Sequence, residues 1–214
     1  MRLTKFGHAC VRLEHAGGAV VIDPGMFTGP EALEGADALL ITHEHMDHFS
    51  EERVRAAVEA HPGLRIWTNH AVAPLLEGIG AKVTVVGDGD AFDLDGLPVT
   101  VHGEWHEVIH PDIPRVRNVG FLLGGRVFHP GDSFTVPPDT VDTLLLPLGA
   151  PWLKAGELVD YVREARPRQA VAIHEGTLSE IGQVIHGRLL GPEGPGTGGA
   201  DYRVLAPGES VDVP

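Results

Sequence analysis

The strongest constraint in this sequence is a histidine-rich segment that directly follows a run of apolar residues. Residues 39–42 carry a continuous Leu-Leu-Ile stretch, which is typical of a short strand buried on both faces. The next six residues are His43-Glu44-His45-Met46-Asp47-His48, and the pattern HxHxDH arises by chance only about 0.003 times in a chain of this composition. A buried strand delivers such a loop to the edge of a sheet, so we expect a polar site there.

The side chains of this segment are typical of a transition-metal site. Imidazole and carboxylate groups bind zinc, manganese and iron without help from a thiolate. From an extended backbone, His43 and His45 point one way, whereas Asp47 and His48 lie at the turn into the next helix and point another. This arrangement predicts two adjacent divalent metal ions, with zinc expected and manganese or iron as alternatives.

Three further strand ends offer ligands for a two-metal site. Asp132 follows a predicted strand at 126–128, after a Gly that permits a tight turn, and is well placed to bridge two ions. His174 follows a buried strand at 170–173. A stretch with three histidines follows the predicted strand at 99–101. Because every candidate follows a strand, we expect all of them to meet at one place.

Short strands and helices alternate along the rest of the chain. Ser50 is expected to cap a helix that carries Val54, Ala57 and Val58 on one face. Residues 71–77 and 157–166 are predicted to form two further helices, and the Gly124-Gly125 pair predicts a two-residue hairpin turn. Buried strands with helices to cover them predict an α/β (α+β) fold of two sheets between helices. We expect one domain over residues 1–214, with a flexible Gly/Pro-rich loop at 191–199.

Charge and cysteine content exclude several functional classes. The chain has 30 acidic residues against 16 lysines and arginines, a formal net charge of −14, and no basic stripe, so nucleic acid is not an expected partner. No stretch approaches the roughly 20 apolar residues of a membrane span, and the N-terminal residues lack a secretory signal. We therefore expect a cytoplasmic protein. A single cysteine, Cys10, rules out an intrachain disulfide. We interpret Cys10 as a small buried apolar residue.

The order of these motifs resembles the metallo-β-lactamase superfamily. HxHxDH, a lone histidine, Gly-Asp and a late histidine after a strand match the metal signature of that family, and the resemblance spans residues 6 to about 176. Gly7-His8-Ala9-Cys10 and Ile22-Asp23-Pro24 are similar to motifs of its small metal-dependent hydrolases related to ascorbate-6-phosphate lactonase and N-acyl-phosphatidylethanolamine phospholipase D. The resemblance implies a four-layer αββα sandwich, which agrees with the strands and helices predicted above.

The resemblance also implies which residues bind each ion. His43, His45 and a middle histidine would bind the first ion, and Asp47, His48 and His174 the second, with Asp132 bridging both. For the middle histidine we favour His106, because a Gly-Glu-Trp spacer can turn the chain toward the site. His102 and His110 are the alternatives.

This site predicts a metal-dependent hydrolase that uses a metal-bridging hydroxide on an ester, lactone, amide or phosphodiester bond of a small substrate. Asp47 would be catalytic, because it can orient the hydroxide and later pass a proton to the leaving group. The alternatives are a diiron redox protein on the same fold and a metal-binding protein without turnover.

Four other residues are candidates for supporting roles. His8 and His129 are predicted to contact substrate or to support the metal ligands, and Arg115 and Arg117 to receive an anionic group of the substrate. The three tryptophans are compatible with a core, a pocket or a subunit interface, so the sequence also allows a homo-oligomer.

Overall fold

Two seven-stranded sheets form the centre of the protein, in a computed structural model that describes residues 1–213. The first sheet has the order β14-β1-β2-β3-β4-β5-β6. Its strands are β1 (Arg2–Gly7), β2 (Cys10–His15), β3 (Gly18–Ile22), β4 (Ala38–Ile41), β5 (Arg65–Thr68), β6 (Lys82–Val85) and β14 (Ser210–Asp212). The strands from β14 to β3 pair antiparallel, and those from β3 to β6 pair parallel.

The second sheet has the order β13-β12-β11-β10-β9-β8-β7. Its strands are β7 (Ala91–Leu94), β8 (Leu97–His102), β9 (Gly120–Leu123), β10 (Val127–His129), β11 (Thr143–Pro147), β12 (Gln169–Ile173) and β13 (Asp201–Arg203). The strands from β7 to β10 pair antiparallel, and those from β10 to β13 pair parallel. The hairpin predicted at Gly124-Gly125 is present, with glycine φ values of 61° and 65°, but Arg126 also belongs to the connection between β9 and β10, so the turn is one residue longer than the sequence predicts.

Helices cover the outer faces of both sheets. They are α1 (Glu51–Ala60), α2 (Ala155–Ala165) and α3 (Glu180–Leu190), with short 3-10 helices at Pro30–Leu33, Ala73–Leu76 and Glu175–Thr177. Ser50 caps the N-terminus of α1 as predicted, because its hydroxyl accepts a hydrogen bond from the Arg53 amide. No helix within residues 1–213 is long and apolar enough to cross a membrane.

Alternation of side chains along the strands divides the core into three layers. Leu40 of β4 packs between the two sheets, whereas its neighbours Leu39 and Ile41 pack on the other face with α1. In β11, Leu145 faces the centre and Leu144 packs with α2. This period-two pattern on strands buried on both faces produces the predicted αββα sandwich.

Three parts of the chain differ from the sequence predictions. Helix α3 and strand β14 were not predicted, and the helix predicted at 71–77 is the shorter 3-10 helix Ala73–Leu76, which contains a proline. Residues 191–199 form an irregular loop, whose carbonyls at Pro195 and Gly196 accept hydrogen bonds from Arg163. The flexibility of that loop stays a prediction.

Candidate metal centre

Eight side chains form two adjacent groups of four at one edge of the sandwich. In each group, one nitrogen or oxygen atom from every member lies within 4.8 Å of the others. The first group is His43, His45, His106 and Asp132, and the second is His8, Asp47, His48 and His174. The structure therefore brings together all seven side chains predicted as metal ligands and adds His8 to them.

The three histidines of the first group come from the loop after β4 and from the segment after β8. His43 Nε2 and His45 Nδ1 lie 3.1 Å apart, and the centres of the His106 and His45 rings lie 4.7 Å apart. The other nitrogen of His106, Nδ1, lies 2.6 Å from the Glu107 carbonyl oxygen, so it carries the proton and leaves Nε2 as an acceptor. Thr42 Oγ1 contacts His43 Nδ1 at 2.9 Å and fixes that ring in the same way.

Asp132 lies between the two groups. Its Oδ1 is 3.0 Å from His48 Nε2, and its Oδ2 is 3.3 Å from the Nε2 atoms of both His106 and His174. Trp152 donates a hydrogen bond from Nε1 to Asp132 Oδ2 at 3.0 Å. One carboxylate therefore faces ligand atoms of both groups, which is the position that a bridging ligand requires.

A tight turn after β10 places Asp132 there. Gly131 has φ +62°, and a Cβ at this position would lie 2.1 Å from Asn118 Oδ1. That oxygen accepts a hydrogen bond from the Asp132 amide, and Asn118 Nδ2 donates to the Pro130 carbonyl. Asn118 therefore bonds both sides of the turn, and only glycine fits between them.

The second group is centred on Asp47. Its Oδ2 lies 3.1 Å from His8 Nε2 and 3.1 Å from His174 Nε2. His8 and His174 both have left-handed backbones, with φ values of 44° and 60°, and the His174 amide donates to the His8 carbonyl at 3.1 Å. The β1–β2 turn and the end of β12 are therefore joined directly, which places His8 beside Asp47 and His174.

Asp23, at the end of β3, orients His48. It is fully buried and accepts hydrogen bonds from the Thr42 amide at 2.8 Å, from Thr42 Oγ1 at 2.7 Å and from His48 Nδ1 at 2.7 Å. Because His48 Nδ1 donates to Asp23, the other ring nitrogen, Nε2, points into the site. Carboxylate–histidine pairs of this kind orient metal-ligating imidazoles.

Buried polar atoms without partners indicate that the two groups suit metal ions. His48, His106 and His174 each have a buried Nε2 with no hydrogen-bond partner of suitable geometry, and Asp132 Oδ1 is in the same position although His48 Nε2 lies 3.0 Å away. Unpartnered buried polar atoms are rare and costly in folded proteins. Imidazole nitrogens and carboxylates that converge in this way fit divalent transition metals.

Shifted pKa values show the charge balance of the site. Burial alone would raise the pKa of Asp132, but the charges of His48 and His174 hold it well below its ordinary value. Burial also opposes ionisation of Asp47, yet the imidazoles of His174 and His8 beside its carboxylate lower its pKa. Conversely, burial lowers the pKa of His174, while Asp132 and Asp47 raise it to about 9. The carboxylates are thus held ionised by positive charge, which a divalent cation would supply in place of the imidazolium proton.

The alternative histidines lie away from both groups. His102 contacts Thr100 Oγ1 at 2.8 Å, and His110 is an exposed residue beside Asp112. His129 is buried behind the site, where Nε2 contacts the Ala9 carbonyl at 2.9 Å and Nδ1 accepts from the Gly131 amide. His129 therefore supports the turn before Asp132, while a role in substrate contact stays a prediction.

Arg115 and Arg117 contact the loop between β8 and β9. The Arg115 Nε donates to the His106 carbonyl, and Arg117 pairs with Glu104 at 3.3 Å while its guanidinium lies 3.7 Å from the Trp105 ring centre. Both arginines thus stabilise the segment that carries His106, and binding of an anion by them stays a prediction.

The sequence interpretation missed the roles of Asp23, Trp152 and Asn118. Asp23 follows a buried strand as the predicted ligands do, so the same rule could have marked it. Trp152 and Asn118 act on Asp132 from 20 and 14 residues away, and their local sequence carries no signal of that contact.

Comparison with known proteins identifies the family of this chain. Residues 2–174 match the family model described as the Beta-lactamase superfamily domain. Protein Rv0786c of Mycobacterium tuberculosis is 38% identical over 88% of this chain and 91% of its own length. A UPF0173 metal-dependent hydrolase of Thermus thermophilus, TTHA1283, is 30% identical over 83% of this chain and 84% of its own length.

A solved structure shares the fold. Igni18, a metallo hydrolase from the archaeon Ignicoccus hospitalis, superposes with a TM-score of 0.73 at 22% identity and covers 98% of this chain and 97% of its own. The chain therefore belongs to the β-lactamase superfamily and, within it, to a small branch of metal-dependent hydrolases.

Proposed function

We propose that this protein hydrolyses an ester, lactone, amide or phosphodiester bond of a small substrate with the help of two divalent metal ions, zinc being the expected metal. The observation that supports this most is the position of Asp132, whose two oxygens face ligand atoms of both groups. A single-metal site would not need such a carboxylate. Residues 1–214 would act as one hydrolase domain in the cytoplasm.

Seven side chains would hold the ions. His43, His45 and His106 would bind the first ion, Asp47, His48 and His174 the second, and Asp132 both. When bound, the ions would polarise a carbonyl or phosphoryl oxygen and lower the pKa of water toward neutrality. No serine, cysteine or lysine nucleophile is needed, and Cys10 is unsuited to that role because burial raises its pKa.

Asp47 is the residue best placed to move a proton. Its side chain is 21% exposed, whereas that of Asp132 is 4% exposed, so Asp47 is the carboxylate that a substrate entering from solvent can reach. His8 contacts Asp47 Oδ2 at 3.1 Å and holds the carboxylate in place. Asp47 would accept a proton from the attacking water and transfer it to the leaving group.

The test is turnover of a panel of 4-nitrophenyl esters, lactones and bis(4-nitrophenyl) phosphate by zinc-loaded protein. We expect the Asp47→Asn variant, assayed at saturating zinc, to lose about 10²–10⁴-fold in kcat, since proton transfer contributes that much. Asp112→Asn, at an exposed position, is the matched control and is expected to keep its rate. Turnover that survives both metal removal and Asp47→Asn would contradict the proposal.

The same donors also suit iron, so a diiron redox protein remains the second candidate. Metal analysis of protein purified without added metal separates the two. Two equivalents of iron with a matching optical spectrum would favour the redox function, and metal bound without turnover over the whole panel would favour a binding role.

A further inference from the structure

Three large apolar side chains lie exposed beside the second group of candidate ligands. Met26, Phe27 and Met46 are 50%, 60% and 54% exposed, although residues of these types are usually buried. The Phe27 ring stands edge-on to the His8 ring with their centres 5.6 Å apart, and Met46 lies between His45 and Asp47 in the sequence. We call Met26, Phe27 and Met46 the apolar rim.

The apolar rim is held in place by the structure around it. The Met26 amide donates to the Met46 carbonyl at 2.8 Å, which joins its two segments. Arg53, on α1, donates to the carbonyls of Met26 and Thr28. Gly25 precedes Met26, and a Cβ on Gly25 would lie 2.1 Å from the Asp47 carbonyl oxygen, so the two segments pack backbone to backbone. These contacts fix the backbone while the three side chains face solvent.

The arginines around the site are already engaged. Arg53 holds the apolar rim, Arg115 donates to the His106 carbonyl, and Arg117 pairs with Glu104. Lys5 is fully buried and pairs with Glu175. Each of these four cations already has a partner within the protein, and fixed apolar side chains beside a polar site typically mark a ligand contact.

We infer that the substrate carries a neutral aliphatic or aromatic group that lies on the apolar rim, so that Phe27 and Met46 determine specificity. This inference rests on the proposed function, because the scissile bond would have to lie at Asp47 while the apolar group extends over the rim. Methionine side chains adapt to groups of varied shape, so the rim favours apolar size over one exact ligand.

The first test measures kcat/KM of the zinc-loaded protein on 4-nitrophenyl esters from acetate to octanoate. A fully buried methylene gains about fourfold in binding, so on this half-exposed surface we expect about twofold per methylene. Phe27→Ala and Met46→Ala are expected to flatten this dependence, measured for each variant as the ratio of kcat/KM on octanoate to kcat/KM on acetate. Val85→Ala, on the edge strand β6 and 52% exposed, is the matched control and should keep the full dependence.

A second measurement does not depend on turnover. Dissociation constants of alkyl hydroxamates from two to eight carbons, measured by calorimetry on the same zinc-loaded proteins, should tighten with chain length in the wild type and in Val85→Ala only. Zinc content is measured for each variant to show that the metal site is intact.

The outcomes separate this inference from the proposed function. If ester turnover shows no chain-length dependence, or one that persists in Phe27→Ala and Met46→Ala, the role of the apolar rim is wrong. The proposed hydrolase function then still holds. Preference for the 4-nitrophenyl monoester of succinate over the equally long pentanoate ester also overturns the role of the apolar rim. If hydroxamate binding depends on chain length but no ester is turned over, the apolar rim binds apolar groups as inferred, whereas the proposed ester hydrolysis is wrong.

Discussion

Replacement of Asp23 by asparagine tests whether the residues behind the ligands control metal binding. Asp23 accepts three hydrogen bonds of 2.7–2.8 Å from Thr42 and His48 and is fully buried. Its backbone is left-handed, with φ 52°, which asparagine tolerates better than alanine does. Asp23→Asn therefore removes the charge and one acceptor oxygen without adding backbone strain.

The expected losses follow from these contacts. At least one of the three donors will face the new amide NH2 group, and a hydrogen bond to a buried charged group contributes about 1.5–3 kcal/mol to stability. We expect the free energy of unfolding of the metal-free protein to fall by about that amount. Because His48 Nδ1 then loses its charged acceptor, metal affinity should fall by about 10–100-fold.

Two assays check this prediction. Urea unfolding after chelator treatment gives the stability, and competition with a chromophoric chelator gives the zinc dissociation constant. Asp95→Asn is the matched control, because Asp95 also has φ 52° but lies on the surface in an ion pair with Arg65, and such pairs contribute about 0–1 kcal/mol. Unchanged zinc affinity in Asp23→Asn, with or without lower stability, would refute the role given to Asp23.

Two further predictions concern neighbours of the site. Trp152→Phe removes the hydrogen bond to Asp132 Oδ2, so zinc affinity should fall about tenfold in the chelator competition. Trp67→Phe, in the core against Phe92, is the control and should leave zinc affinity unchanged. Equal zinc affinities in the two variants would contradict this prediction. Lys5→Met leaves the carboxylate of Glu175 without its buried partner and should lower the free energy of unfolding by about 3 kcal/mol, most of which Lys5→Met combined with Glu175→Gln should restore. A double variant as unstable as the single one would show that packing rather than charge is responsible.

The parts of the fold that the sequence predicts are those with a strong local pattern. Strands β4, β11 and β12 are continuous apolar runs, because strands covered on both faces have no polar side. Helix α3 lacks such a pattern. It contains Gly182 and Gly187, and its apolar residues Ile181 and Val184 face solvent rather than a core, so its composition does not distinguish it from a loop.

The site residues also differ in how well the local sequence predicts them. His43, His45, Asp47 and His48 lie within one segment, so their spacing alone predicts a shared role. His8 comes from the β1–β2 turn, and its approach to Asp47 depends on a hydrogen bond between its carbonyl and the His174 amide, which joins residues 166 positions apart. Contacts of that kind arise only when both sheets have formed, and no local pattern encodes them.

The central claim is that one chain binds two divalent ions with Asp132 between them. The most direct test is inductively coupled plasma mass spectrometry of wild-type protein and Asp132→Ala, each loaded with zinc and then freed of loosely bound metal. We predict two zinc ions per chain in the wild type and a clear loss in the variant, because its remaining histidines lack the shared carboxylate. A wild-type protein that binds no zinc, or a variant that still holds two ions, would contradict the account.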